Sequence, residues 1–204
     1  MFAEISSPLV LGSRSASRAA LLEAAGLTFE TDPADIDEDA IRKVITRDRN
    51  TGASDVADVL ARAKAETVAE RHPGALVIGA DQVLAAGDEL FEKPATMKEA
   101  RRTLLTLRGR THQLHTAVAL AREGNVIWGY VDSSDLTMRA LTPEYIGKYL
   151  AAAGESVLQS VGAYQLEGLG VNLFDEIRGD YFAILGLPLL PLLAELRREG
   201  GQRP

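Results

Sequence analysis

Ala75-Leu76-Val77-Ile78-Gly79-Ala80-Asp81-Gln82-Val83-Leu84, with Gly87-Asp88 and Glu92-Lys93-Pro94 behind it, sets the organisation of this chain. A short apolar run bounded by turn residues is the pattern of a buried strand, and this one stops at a carboxylate. Gly79 and Ala80 are small enough to leave room beside Asp81 for another backbone or a ligand. Lys93 follows about a dozen positions later, in a loop stiffened by Pro94. An acid and a base carried to one place by a rigid strand suggest an anion site with chemistry performed on the anion.

The bulk properties narrow the class. The 204 residues are 46% hydrophobic and 25% charged, enough for one sizeable core in one or two lobes. We expect a single domain over residues 1–199 with a disordered tail at 200–204. No window approaches the roughly 18 apolar residues of a membrane span, and no basic and hydrophobic leader opens the sequence, so a cytoplasmic protein without a membrane partner is expected. The absence of cysteine excludes disulfides, zinc–thiolate sites and thiol nucleophiles. A formal charge of −7 argues against nucleic-acid backbone as a partner. A small polyanion still fits a local basic pocket.

Outward from the opening stretch, the pattern predicts a mixed α/β fold. Leu9-Val10-Leu11 is a brief strand, and a helix from Ala16 to Ala25 follows, with Ser15 as its N-cap and Gly26 as its stop. Thr28–Thr31 returns as a strand. Pro33–Asp39 is an acidic loop, and Ala40–Gly52 is a solvated helix or a mobile segment. Ser54 caps a helix to about Arg71, with Val56, Val59, Leu60, Ala63 and Val68 on one side. Beyond Asp81, Gly87-Asp88 supports a hairpin returning through Leu90-Phe91. Thr96 to Glu99 is a capping box opening a helix to Leu107. Thr111–Ala121 and Val126–Arg139 are two long antiparallel strands. Thr142-Pro143 starts a helix ending near Gly154. Val161–Gly170 is a glycine-rich loop, Val171–Ile177 and Tyr181–Leu185 are strand-like, and Pro188 opens a last helix to Glu199.

Several clusters carry chemistry. Ser13-Arg14-Ser15-Ala16-Ser17-Arg18 joins a strand to a helix start, where free N–H groups and the positive end of the helix dipole favour phosphate. The same spacing suits a well-capped helix with surface arginines. Lys64 sits in an apolar-striped helix and is either a snorkelling lysine or a buried cation; Lys93 is either a solvated loop residue or a second cation. Asp81 would be costly to bury without partners. Asp37 and Glu38 lie in the acidic loop and could share a cation with Asp81, although acidic loops are common and the spacing alone does not single them out. His112 and His115, three apart on a strand, point to opposite faces and make a poor metal pair. Any metal is therefore a hard ion such as Mg²⁺ or Mn²⁺, held by carboxylates and phosphate oxygens. Two unit charges 4 Å apart interact by about 4 kcal/mol at an effective dielectric near 20. A triphosphate beside Asp81 thus requires Lys64, Lys93, Arg18 and a divalent cation around it. Asp81 would then serve as general base on a water.

In order along the chain, Leu11–Arg18 with Leu21-Leu22, Asp35–Glu38, Leu60-Ala61 with Lys64-Ala65, Gly79–Gln82 through Lys93-Pro94, and Gly162–Tyr164 through Glu167-Gly168 to Gly179-Asp180-Tyr181 and Gly186–Leu189 resemble the Maf-like nucleoside triphosphate pyrophosphatases, once described as septum-formation inhibitors. Thr111-His112 and Thr116 fall at matching positions. The resemblance implies an elongated α/β fold related to the inosine-triphosphate pyrophosphatases, a mixed sheet with flanking helices in two lobes around a cleft, and a homodimer. It implies metal-dependent hydrolysis of a nucleoside triphosphate to the monophosphate and pyrophosphate. Asp81 matches the proton acceptor; Ser13, Arg18, Lys64 and Lys93 match phosphate-contacting positions, and Ser15 stands among them. Asp37 or Glu38 matches the acidic position near the cation.

Three positions, Ser17, Gln82 and Glu167, match the family's specificity determinants. The branch acting on 7-methyl-GTP carries glutamine and glutamate at the last two, as here, whereas the dTTP/UTP branch carries threonine and glutamine. Ser17 departs from both patterns, and Ala16 replaces a usual proline. A carboxylate accepts from guanine N1–H and N2–H, so 7-methyl-GTP is the expected substrate. The alternatives are dTTP or UTP hydrolysis and a nucleotide-binding regulator of septation without turnover.

Overall fold

The computed structural model describes residues 7–47 and 51–200, and the expected mixed α/β architecture holds. Seven strands form one sheet: β1 (Leu9–Leu11), β2 (Glu30–Thr31), β3 (Leu76–Ala86), β4 (Glu89–Phe91), β5 (Thr111–Arg122), β6 (Asn125–Met138) and β7 (Phe174–Arg178). Their order is β2-β1-β3-β5-β6-β7, with β4 folded back on the end of β3. β1 is parallel to β2 and β3; the other pairs are antiparallel. The helices are α1 (Ala16–Ala24), α2 (Glu38–Ile45), α3 (Ala53–Ala69), α4 (Met97–Leu107), α5 (Pro143–Ala153), α6 (Tyr181–Ile184) and α7 (Leu189–Glu199). Among the described residues, no helix is long and apolar enough to cross a membrane. Tail residues 201–204 and residues 48–50 of the charged segment lie outside the described residues.

The strand β3 organises the whole. It does not stop at Asp81 but runs on to Ala86, because Val83, Leu84, Ala85 and Ala86 are all buried and the β5 ladder continues alongside, pairing Asp81 with Ala117 and Ala85 with Gln113. A carboxylate thus sits in mid-strand. The period of two sends Val77 and Val83 into the layer under α3, with Gly79 and Asp81 on the same parity, while Leu76, Ile78 and Ala80 face the α1–α7 layer. A third apolar cluster, around Leu104, Leu136, Ile146 and Tyr164, joins α4, α5, the far end of the hairpin and the loop after α5.

The helix α3 buries Val56, Leu60 and Val68 as its pattern suggests, but the rest of its buried face differs. Val59 is exposed, and the buried stripe runs through Ala57, Ala61, Lys64, Ala65 and Val68. Small residues let the helix approach the sheet closely. At Gly79 an added Cβ would meet Ala61 O and lie 2.5 Å from Ala65 N. Close approach was chosen over bulk, and it carries Lys64 inward.

Other differences are local. The helix α3 begins at Ala53 after Gly52, whose N–H donates to Asp55 Oδ2 at 2.8 Å, so Ser54 is already inside the helix rather than its cap. The helix α2 begins at Glu38, earlier than expected, because Asp37 Oδ1 accepts from Ala40 N at 2.9 Å and caps it. Residues 169–173 wind into a 3-10 helix before β7, and Tyr181–Ile184 is helical, not strand-like, capped by Asp180 Oδ1 on Ala183 N at 2.8 Å.

Gly79→Ala is expected to cost about 3 kcal/mol and lower Tm by roughly 6–10 °C, since the colliding atoms are helix backbone. Thermal unfolding checks it, and an unchanged Tm would mean that α3 is free to ride away from the sheet.

Candidate active site

The end of β1 pairs Leu11 with Ile78, and Gly12 N donates to Ile78 O at 2.8 Å, so the loop into α1 runs beside Gly79–Asp81. On the other side of β3 lies α3. Together they open a cleft of about 780 Å³, lined by the 12–18 loop, the start of α2, mid-β3, Lys93, the loop 159–167 and residues 184–186.

At its centre Lys64 and Asp81 are 8% and 5% exposed. Lys64 Nζ donates to Asp81 Oδ1 at 2.6 Å and lies 2.8 Å from Glu38 Oε1. One ammonium therefore holds a carboxylate from the sheet and another from α2, with its third hydrogen uncommitted. Asp81 Oδ2 is buried and has no partner among the described residues. The Glu38 carboxyl is pushed up by burial, but hydrogen bonding to Lys64 and the charges of Lys64, Arg42 and Lys93 outweigh this and hold it below its ordinary range.

Arg18 is also buried, at 9% exposure. Its Nε donates to Gly186 O at 2.8 Å, and its Nη1 donates to Ala80 O at 2.9 Å and Ser13 Oγ at 3.0 Å. Burial lowers its pKa from the ordinary arginine value, and Asp81 and Glu38 pull the other way. Ser13 Oγ also accepts from Ser15 N at 3.2 Å, while Ser15 caps α1 by accepting from Arg18 N at 3.4 Å. Lys93 stands at the solvent-facing rim just past β4. Partial burial, then the nearby Arg18 and Lys64 charges, lower its pKa, which places it in the same field as the buried groups. A triphosphate would relieve the crowding of these cations.

Of the remaining expected residues, Ser17, Gln82 and Glu167 all line the cleft, Glu167 from its exposed outer loop. Asp37 caps α2 and does not line it, whereas Glu38 does. Among the described residues no three His, Asp or Glu side chains converge as a metal cage. What exists for a cation is two carboxylates, Glu38 and Asp81, the latter with Oδ2 unpartnered, a hard donor set that would need phosphate oxygens to complete it.

Sequence reasoning gave no role to several lining residues, Arg42 and Tyr164 among them. Arg42 lines the cleft with Nη2 3.7 Å from Glu38 Oε2, and the i,i+4 spacing from Glu38 was the available signal. Tyr164 is buried, with its hydroxyl 2.8 Å from His112 Nε2 and its ring edge-on to Phe174. Its preceding residue, Ala163, has φ +57°, and Tyr149 donates to Ala163 O at 3.4 Å. No local pattern announces that contact across the chain. It fixes the base of the loop bearing Glu167.

A family model described as Maf-like protein matches residues 8–199. A Mesorhizobium japonicum protein named 7-methyl-GTP pyrophosphatase is 55% identical over 192 residues, 94% of this chain and 96% of its own. A Rhodopseudomonas palustris protein named nucleoside triphosphate pyrophosphatase is 50% identical over 192 residues, 94% of each. The solved structure of a HAM1 protein from Coxiella burnetii aligns with 66% of this chain and 74% of its own, at 19% identity and TM-score 0.44.

Burial and the nearby Arg110 charge lower the His112 pKa from 6.5 to about 4, so the ring is neutral in the fold. Between those values the unfolded chain binds the proton and the folded chain does not. Stability is full above pH 6.5 and declines as pH falls toward 4, by about 3 kcal/mol from this group. Urea unfolding at pH 7, 5.5 and 4.5 should show this loss, with a shallower slope in His112→Gln; equal slopes would remove His112 as the cause.

Proposed function

The chain belongs to the Maf-like family, and we propose that its cleft hydrolyses nucleoside triphosphates to the monophosphate and pyrophosphate, with 7-methyl-GTP favoured and Asp81 as general base. The enzyme is a nucleoside triphosphate pyrophosphatase, a hydrolase acting on acid anhydrides, as its relatives' names state. The finer reading rests on one observation above the others: a buried Asp81 with one oxygen held by Lys64 and the other without a partner, inside a cleft walled by cations.

The chemistry follows from that pair. Lys64 fixes the Asp81 carboxylate in orientation, leaving Oδ2 as the acceptor for a proton. Water attacks the α-phosphorus, a new P–O bond forms as its proton passes to Asp81, and the bond from the α-phosphorus to the bridging oxygen breaks. The electron pair leaves with pyrophosphate. Arg18, Lys64 and Lys93 offset the charge that grows on the leaving group. Arg18 does so from a fixed position, since Gly186 O, Ala80 O and Ser13 Oγ hold its fork. Lys93, at the rim, is free to follow the departing phosphates.

A divalent Mg²⁺ or Mn²⁺ would be held by Asp81 and Glu38, with triphosphate oxygens completing its shell; bound there, it neutralises phosphate charge. Around the base, Glu167 supplies a carboxylate that accepts from adjacent N–H groups of a guanine edge.

Asp81→Asn is expected to lower turnover by roughly 10²–10⁴-fold while leaving triphosphate binding largely intact, because it removes a base and a repulsive charge together. Pyrophosphate release with Mg²⁺ or Mn²⁺ measures the first and calorimetry the second; full activity in the variant would refute the assignment. In the same assay Glu167→Gln should weaken use of 7-methyl-GTP about tenfold more than use of UTP. An equal loss on both would mean that Glu167 does not read the base.

A further inference from the structure

Gln82 and Thr116 stand opposite each other in the β3–β5 ladder. Gln82 Nε2 lies 2.9 Å from Thr116 Oγ1 and 3.1 Å from both Ala183 O and Ile184 O. A side-chain amide nitrogen carries only two hydrogens, so both are engaged among three acceptors. The Thr116 hydroxyl gives its single hydrogen to Ala183 O at 2.9 Å and can only accept from Gln82. This determines which end of the amide is nitrogen. A flipped amide would press its oxygen against two backbone carbonyl oxygens.

The consequence lies on the other side of the side chain. Gln82 Oε1 has no hydrogen bond among the described residues and is not one of the buried unpartnered atoms, and Gln82 lines the cleft. Its open atom there is therefore an acceptor. Glu167 contributes carboxylate acceptors to the same cleft. Thr116 is 1% exposed and does not line the cleft, so it acts only through Gln82 and α6.

We propose that Thr116, with the Ala183 and Ile184 carbonyls, is a positioning residue that locks Gln82 as an acceptor-only reader of the nucleobase. The pocket then selects bases by donor-rich edges. Guanine offers N1–H and N2–H groups side by side. Uracil and thymine offer one N3–H between two carbonyls, which would face Gln82 Oε1 and the Glu167 carboxylate as like partners. The proposal rests on the reading of this cleft as a nucleoside triphosphate site.

The test combines two readouts on Thr116→Val, which keeps the shape and removes the hydroxyl, and Thr116→Ser, which keeps the hydroxyl. The first is hydrogen exchange of the Gln82 side-chain amide by NMR, assigned by its loss in Gln82→Met. The second is the ratio of kcat/KM for 7-methyl-GTP to that for UTP. In the unsubstituted enzyme the amide should exchange slowly. Thr116→Val should speed that exchange and shrink the ratio about tenfold, mainly through KM, and Thr116→Ser should preserve both. A freely exchanging amide in the unsubstituted enzyme, or a freed amide in Thr116→Val with an unchanged ratio, overturns the proposal. Glu167→Gln separates it from the reading beneath it: a ratio lost there but kept in Thr116→Val sinks only the role of Thr116 and Gln82. The opposite pattern sinks only the role of Glu167. An enzyme that prefers UTP sinks both.

Discussion

The site depends on one lysine holding two carboxylates. Glu38 comes from the start of α2 and Asp81 from mid-β3, and without Lys64 between them they would be like charges at the edge of a core. Both contacts to the ammonium are short, 2.8 Å from Glu38 and 2.6 Å from Asp81, so the attraction offsets the repulsion between the two acids. An ammonium suits this position better than a guanidinium: it is a compact charge whose three donors point separately, so it can serve two acids and retain one hydrogen for a phosphate. Its arrival there is a consequence of packing. The helix α3 lies against β3 through alanines and Gly79, and only that approach lets a lysine on the buried stripe reach a carboxylate on the strand.

Around this bridge the cations differ in freedom, and the difference has a use. Arg18 is held through backbone carbonyls and Ser13, so its position is set before any substrate arrives. Lys93 stands at the rim. Both have a lowered pKa, mainly through burial, so each gains more from an anion than a fully hydrated cation would. A charge fixed in advance needs no reorganisation to meet an anion, whereas Lys93, exposed at the rim, keeps one end of the cleft cationic towards solvent.

Much of this was legible in the sequence where the signal is local. Ser15 before Ala16, Thr142 before Pro143, and the long alternating pair on either side of Glu123-Gly124 each gave the right element, because caps and turns are decided by neighbouring residues. The strand through Asp81 was cut short because a charge ended the apolar run, yet the strand's continuation is enforced by β5, far along the chain. On α3 the pattern finds Val56, Leu60 and Val68 but places Val59 and Ala63 beside them and omits Ala57, Ala61 and Ala65, because alanines carry little apolar signal although close approach to a glycine rewards them. Arg42 falls in a stretch that reads as solvated helix or mobile segment; its place in the cleft beside Glu38, which the acidic loop did offer as a site residue, comes from the start of α2 lying at the cleft.

The segment misread most completely, Tyr181–Leu185, shows why residue type alone did not reveal the site. Its short continuous apolar run suits a strand, but Asp180 caps it into one turn of helix. A strand would spend its carbonyls on a neighbouring strand. A turn of helix ends with carbonyls that its own ladder does not fully use; here Ala183 O, which also accepts from Gly186 N, and Ile184 O accept from Thr116 and Gln82, and Gly186 O just beyond the turn accepts from Arg18. This short segment thereby orients both the Arg18 guanidinium and the Gln82 amide in the cleft through backbone atoms. Asp180 starts that turn, the buried Ala183 and Ile184 seat it, and Gly186 at φ +107° turns the chain where its carbonyl meets Arg18. The information that aims Arg18 and Gln82 is therefore conformational, spread over several residues rather than carried by the chemistry of one.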